Sequence, residues 1–192
     1  MLDVVNVPNV LTLLRIVAIP IFLILLVDFR YREALGVFVA AGVTDALDGA
    51  IARLTHTKTT LGAYLDPAAD KLLLMSAFVA LAFMRQVPGW LLVVVLSRDI
   101  IQVVGYFLLF TMTQHAMEVR PSVAGKLSTF LQLSAVALVL VSLVYPHAVP
   151  PVAETTLFLL TGLVTASAGI QYMIRGLLWL QRQGAPPGAP EC

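Results

Sequence analysis

Asp45, Asp48, Asp66 and Asp70 stand in two pairs, the first three residues apart and the second four. On a helix, either spacing sets both carboxylates on one face, one turn above the other. The two pairs lie in neighbouring apolar stretches joined by a short link, so antiparallel packing of those stretches brings all four together. Like charges at close range repel, and some would stay protonated without a compensating cation. The set offers oxygen and no His or Cys, which suits a hard divalent ion such as Mg²⁺ or Mn²⁺. Such ions bridge phosphate oxygens and clamp the attacking and leaving oxygens of phosphate chemistry. The plainer reading is an ion network between two helices, for which the stretch carries too few cations.

The surroundings suit a large ligand. Gly49 follows Asp48, with Ala46, Ala50 and Ala52 around it, and Gly62 precedes Asp66 by about one turn. Small residues let a ligand or a neighbouring helix reach the backbone. Arg53 can pair with a phosphate or an aspartate, or mark the helix end at a membrane interface. Further ionisable residues interrupt apolar runs: Arg15, Lys71, Arg98 and Asp99. Each costs roughly 2.5–3.5 kcal/mol on insertion scales and so is a functional candidate by default. Lys71 can contact substrate, balance Asp70 or snorkel to the surface. Arg15 can partner an aspartate such as Asp48 or Asp99. Arg98 and Asp99 are adjacent and point to different faces, so Arg98 is expected to face a cavity and not its neighbour.

The elements that hold these residues are membrane helices. Of 192 residues, 59% are hydrophobic and 12% charged, with mean hydropathy +0.93. Soluble domains run at roughly 45–50% apolar and about 25% charged. Lipid must therefore be the solvent for much of the surface. Six stretches near 8–27, 33–53, 61–83, 88–113, 123–145 and 153–180 approach the ~20 residues that cross a bilayer. The expected fold is all-α, multi-pass and integral to the membrane, with one domain over 1–183 and a disordered tail over 184–192. The first apolar run lacks a basic leader and a cleavage site, which predicts a retained helix and no signal peptide. With the N-terminus cytoplasmic, inner loops and ends carry Arg53, Lys58, Arg120, Lys126, Arg175 and Arg182, against Arg30, Arg32 and Arg85 outside. That orientation sets the aspartates at the cytoplasmic face. Trp90, Trp179 and Tyr145 fit interfacial belts.

Other features are quieter. Net charge of +1 argues against nucleic acid as a partner. The single cysteine, Cys192, excludes an intrachain disulfide and a thiolate metal site. His56, His115 and His147 read as loop residues. Gly162, Ala166 and Gly169 read as close helix packing, and the fifth or sixth helix could form a homodimer seam.

Written out, the central stretch is Asp45-Ala-Leu-Asp48-Gly49-Ala-Ile-Ala52-Arg53, eight residues, Gly62, three residues, Asp66, three residues, Asp70. It resembles the complete signature of the CDP-alcohol phosphatidyltransferase family at all eight fixed positions. The resemblance implies that Asp45, Asp48, Asp66 and Asp70 hold two metal ions. It implies that Gly49, Ala52, Arg53 and Gly62 receive the cytidine diphosphate of a CDP-activated lipid, CDP-diacylglycerol. Asp70 would also take the proton of the acceptor hydroxyl, giving CMP and a phosphodiester lipid. A homodimer is implied as well. The opening from Asn6 to Pro20 and the stretch Leu65-Asp66-Pro67-Ala-Ala-Asp70-Lys71-Leu72 resemble phosphatidylglycerophosphate synthases and also CMP-forming cardiolipin synthases. Ser97-Arg98-Asp99-Ile100 and the run from Arg120-Pro121-Ser122 through Gly125-Lys126 to Gln132 resemble the second branch more. Both acceptors, glycerol 3-phosphate and phosphatidylglycerol, carry phosphate, which Arg98, Arg120 and Lys126 could bind, with Lys71 a further candidate. Glycerol 3-phosphate is the narrow preference.

Two other classes compete. A divalent-cation channel or transporter would spread its acids through the membrane depth, whereas these crowd toward one face. A non-catalytic scaffold would be expected to lack an aspartate, and none is missing.

Overall fold

A computed structural model describes residues 7–55, 60–113 and 122–184. Side chains are described from Leu14 onward, apart from Arg15, residues 45–55 and 60–70, and positions near the ends of α4 and α6. The order is α1 (Val7–Val27), α2 (Tyr31–Thr55), α3 (Thr60–Phe83), α4 (Gly89–Thr113), α5 (Val123–Val144) and α6 (Pro151–Gly184), with no strand among the described residues. The all-helical expectation holds. The expected tail over 184–192 falls, beyond Gly184, outside the described residues.

Local chemistry sets the helix ends. α1 stops where Phe29 adopts φ 59°, with Arg30 N–H bonded to Leu25 O at 2.8 Å and Phe29 N–H to Leu26 O at 3.2 Å. α3 stops in the same way at Arg85, φ 58°, with Gln86 N–H to Leu81 O at 2.9 Å and Arg85 N–H to Ala82 O at 3.0 Å. Both are left-handed caps that satisfy the last carbonyls, at positions where glycine is usual. At the turn into α2, Arg30 and Glu33 form an exposed ion pair at 3.0 Å. α5 opens on Ser122, whose Oγ accepts Gly125 N–H at 3.0 Å, the N-cap arrangement. α6 opens on Pro151, whose fixed φ and missing N–H suit the first helical position.

The chain divides into two compact units, Met1–Pro88 with Leu133–Glu154, and Gly89–Gln132 with Thr155–Cys192. In the first, α1 packs against both α2 and α3. Phe22, Leu26, Phe78 and Leu81 are fully buried there, and the Phe22 and Phe38 rings meet at 5.8 Å. In the second, Leu91 and Val95 of α4 are buried, as are Thr161 and Thr165 of α6.

Much of the surface is greasy. Leu163 is 69% exposed, Phe130 65%, Val93 62% and Leu177 60%, which suits a lipid environment better than water. Among the described residues, Val123–Val144 and Pro151–Trp179 are long and apolar enough to cross a membrane. α1 and α3 contribute shorter apolar runs, Ile16–Val27 and Lys71–Phe83.

Candidate active site

α2 carries Asp45, Asp48, Gly49, Ala52 and Arg53 in its C-terminal half, and α3 carries Gly62, Asp66, Asp70 and Lys71 in its N-terminal half. Both stretches have continuous helical backbone, the local geometry for which the three- and four-residue spacings are read. Both flank the same four-residue link, 56–59, and α1 packs on both helices. Four carboxylates on such a backbone are a donor set suited to a hard divalent cation. The side chains of these aspartates, and of Arg15, Gly49, Ala52, Arg53 and Gly62, lie outside the described ones, as do His56 and Lys58. Lys71 is half-buried. Among the described residues no three of His, Cys, Asp and Glu gather to hold a metal.

Beside this stretch runs an apolar groove of about 340 Å³, lined by Leu14, Val17 and Ile21 of α1 and by Val37, Ala41 and Thr44 of α2. It reaches Thr44, the residue before Asp45.

The second unit holds the remaining candidates. Arg98 and Asp99 of α4 are buried, 7% and 5% exposed. Contrary to the expectation from their adjacency, they pair with each other, Nη1 to Oδ1 at 2.6 Å. Neighbouring helical positions diverge by about 100°, but a guanidinium on a long stem folds back across that angle. A buried uncompensated charge is far costlier than the bend. The Arg98 Nε has no hydrogen-bond partner. The Arg98 stem lies along Gly169, where a Cβ would sit 3.6 Å from Cγ. Its guanidinium stands at the first turn of α5, 3.5 Å from where a Gly125 Cβ would be. Lys126 in that turn is exposed, and Arg120 lies outside the described residues.

One relationship escaped sequence reasoning, the joining of α5 polar residues to Thr165. Ser128 and Gln132 of α5 meet Thr165 of α6 in a buried triangle: Ser128 Oγ to Thr165 Oγ1 at 3.0 Å, and Gln132 Nε2 to each hydroxyl at 3.2 Å. The signal was there as polar residues four apart in otherwise apolar helices, Ser128 with Gln132 and Thr161 with Thr165.

An all-helical, greasy-surfaced chain whose carboxylate pairs sit on two linked helices has the makings of a lipid-phosphate enzyme. The chain belongs to the CDP-alcohol phosphatidyltransferase family, whose model matches residues 5–170. It is 33% identical over 178 residues to a Mycobacterium tuberculosis protein named probable phosphatidylglycerophosphate synthase, covering 90% of this chain and 82% of that one. It is 33% identical over 150 residues to the Bacillus subtilis CDP-diacylglycerol–glycerol-3-phosphate 3-phosphatidyltransferase, covering 70% and 76%. The human CMP-forming cardiolipin synthase is 30% identical over 182 residues, 87% of this chain but 60% of the human protein. The chain is thus an enzyme of the phosphatidyltransferase class.

Proposed function

We propose that this enzyme transfers the phosphatidyl group of CDP-diacylglycerol to glycerol 3-phosphate, forming phosphatidylglycerophosphate and CMP. The observation that carries this reading is the likeness to the M. tuberculosis relative over 82% of that protein's length, joined to the complete aspartate signature on helical backbone.

In the reaction, the acceptor hydroxyl oxygen attacks the phosphorus that bears diacylglycerol. The bond from that phosphorus to the bridging oxygen breaks, and CMP departs with the electron pair. Asp70 takes the hydroxyl proton, a general-base role. Gly49, Ala52 and Gly62 leave the backbone open to the cytidine diphosphate, and Arg53 pairs with its phosphates. Asp45, Asp48, Asp66 and Asp70 would hold two divalent ions, Mg²⁺ or Mn²⁺, which when bound would supply charge neutralisation at the diphosphate. An acyl chain of the donor suits the α1–α2 groove, whose lining ends at Thr44. The catalytic domain spans 1–183 as six membrane helices, the aspartates face the cytoplasm, and the protein works as a homodimer.

A second reading has its own support. Arg98 is already balanced by Asp99, and the little positive charge left there matches the single charge of phosphatidylglycerol better than a phosphate dianion. That favours CMP-forming cardiolipin synthesis. The deciding experiment incubates purified protein with CDP-diacylglycerol, Mg²⁺ and either acceptor, and follows CMP. Release with glycerol 3-phosphate alone supports the main reading, release with phosphatidylglycerol alone supports the second, and release with neither refutes both.

A further inference from the structure

The seam between α1 and α2 is open at one end and sealed at the other. Its open end is the groove described above, whose walls include Ala18 of α1 and Ala41 and Thr44 of α2. The Thr44 hydroxyl donates to Ala40 O at 2.6 Å, so its hydrogen is used within the helix and the wall offers apolar surface. One turn further along, the same two helix faces carry phenylalanine in place of alanine. Phe22 follows Ala18 by four residues, and Phe38 precedes Ala41 by three. Both rings are buried, 0% and 4% exposed, and their centroids meet at 5.8 Å. A further turn on, Leu26 and Ala34 are fully buried. The seam thus passes from open to closed at the Phe22–Phe38 pair, while Ile21, next to Phe22, is 45% exposed.

Depth decides what such a groove can house. Thr44 and Phe38 are six residues apart, about 9 Å of helix rise. One leaflet of hydrocarbon is about 15 Å deep, half of the bilayer core. An acyl chain that enters at Thr44 and runs straight meets the rings before its terminal methyl is housed. A short chain ends above them. A chain with a cis double bond at mid-length turns there and leaves past Ile21 and Val37 into the bilayer.

We infer that the Phe22–Phe38 pair is the floor of the acyl groove, and that it selects donors whose chains are short or bent at mid-length over donors with long straight ones. Phe38 is the specificity-determining residue, and Ala18 keeps the groove open above it. This selectivity rests on CDP-diacylglycerol as the donor and adds to that reading the class of acyl chain the enzyme takes.

The test uses full-length protein in detergent micelles with Mg²⁺ and dioctanoyl, dioleoyl or dipalmitoyl CDP-diacylglycerol, each diluted in excess detergent so that bilayer phase plays no part. CMP release is followed with whichever acceptor supports turnover. In the wild type, kcat/KM for the dioleoyl donor exceeds that for dipalmitoyl about tenfold, the scale on which an apolar pocket discriminates by a methylene. Phe38→Ala deepens the groove and brings that ratio near one. Ala18→Leu raises the floor by a turn and lowers kcat/KM about tenfold for both long-chain donors, with dioctanoyl changed least. A general loss of fold moves all the donors together and does not produce this pattern. A wild-type ratio near one overturns the floor, as does an active Phe38→Ala that keeps the wild-type ratio. Where Phe38→Ala does not fold, Ala18→Leu decides, and an equal effect on all the donors overturns the floor. Donor binding is read separately, as the rise in Tm that each donor gives. A wild type that releases CMP with neither acceptor refutes the proposed reaction, and the ranking of those Tm rises still decides the floor.

Discussion

Trp90 of α4 occupies the space that Gly162 of α6 leaves open. A Cβ on Gly162 would lie 2.5 Å from Trp90 Cζ3 and 2.9 Å from Cη2. Gly162→Ala therefore forces the indole aside. The ring is 46% exposed and has room to move, so the expected loss is about 1 kcal/mol, the low end for overpacking. Denaturation in detergent measures it. The same substitution in a Trp90→Ala background should cost nothing more, and a full loss there would show that the indole is not the obstacle.

Asp70→Asn keeps the size of the side chain and removes both its charge and its basicity. CMP release should fall at least about 100-fold, the lower reach of general-base catalysis, while the far-ultraviolet dichroism stays helical. Chelation by EDTA should abolish turnover and added Mg²⁺ or Mn²⁺ restore it. Near-normal turnover by the variant would remove Asp70 from the role of base.

The Ser128–Gln132–Thr165 triangle ties α5 to α6 through buried hydroxyls and an amide. Thr165→Val keeps the shape and deletes the oxygen that both partners use. A loss of about 1 kcal/mol is expected, between the average and the largest values for hydrogen bonds between membrane helices. Ser128→Ala combined with Thr165→Val should cost less than the sum of the two singles. Strict additivity in that cycle would mean the hydroxyls do not interact.

Arg85 holds a left-handed conformation, φ 58°, which costs a side-chain-bearing residue roughly 1–2 kcal/mol. Arg85→Gly relieves that strain and adds about 0.5–1 kcal/mol of unfolded-state entropy. The net expectation is a gain of about 0.5 kcal/mol, with Arg85→Ala close to wild type. A thermal shift that ranks alanine above glycine would contradict it.

The helix plan was legible because apolar length and proline punctuation dictate it. The first stretch, read as 8–27, is observed at Val7–Val27, and the fourth, read as 88–113, at Gly89–Thr113. The fifth ends at Val144, just before Tyr145 and Pro146, as a proline stop requires. The sixth was read short, since Pro151 opens it and polar Gln181 to Gly184 extend it. Asp45, Asp48, Asp66 and Asp70 stand out in the sequence by their helical spacing, and their side chains lie outside the described ones. What sequence could not reveal were relationships set by packing. The turns at Phe29 and Arg85 carry no glycine to announce them. Arg98 and Asp99 pair through a side-chain bend that a helical wheel does not represent. Thr165 joins partners 33 and 37 residues away, a distance over which no periodicity speaks.

Helix α6 is 34 residues long, about 51 Å at the usual rise, whereas a hydrocarbon layer is about 30 Å thick. Set across such a slab, a rod of that length would have to lean or jut out, and even its apolar stretch, Pro151–Trp179, exceeds the layer at about 43 Å. Thinner bilayers would demand more tilt.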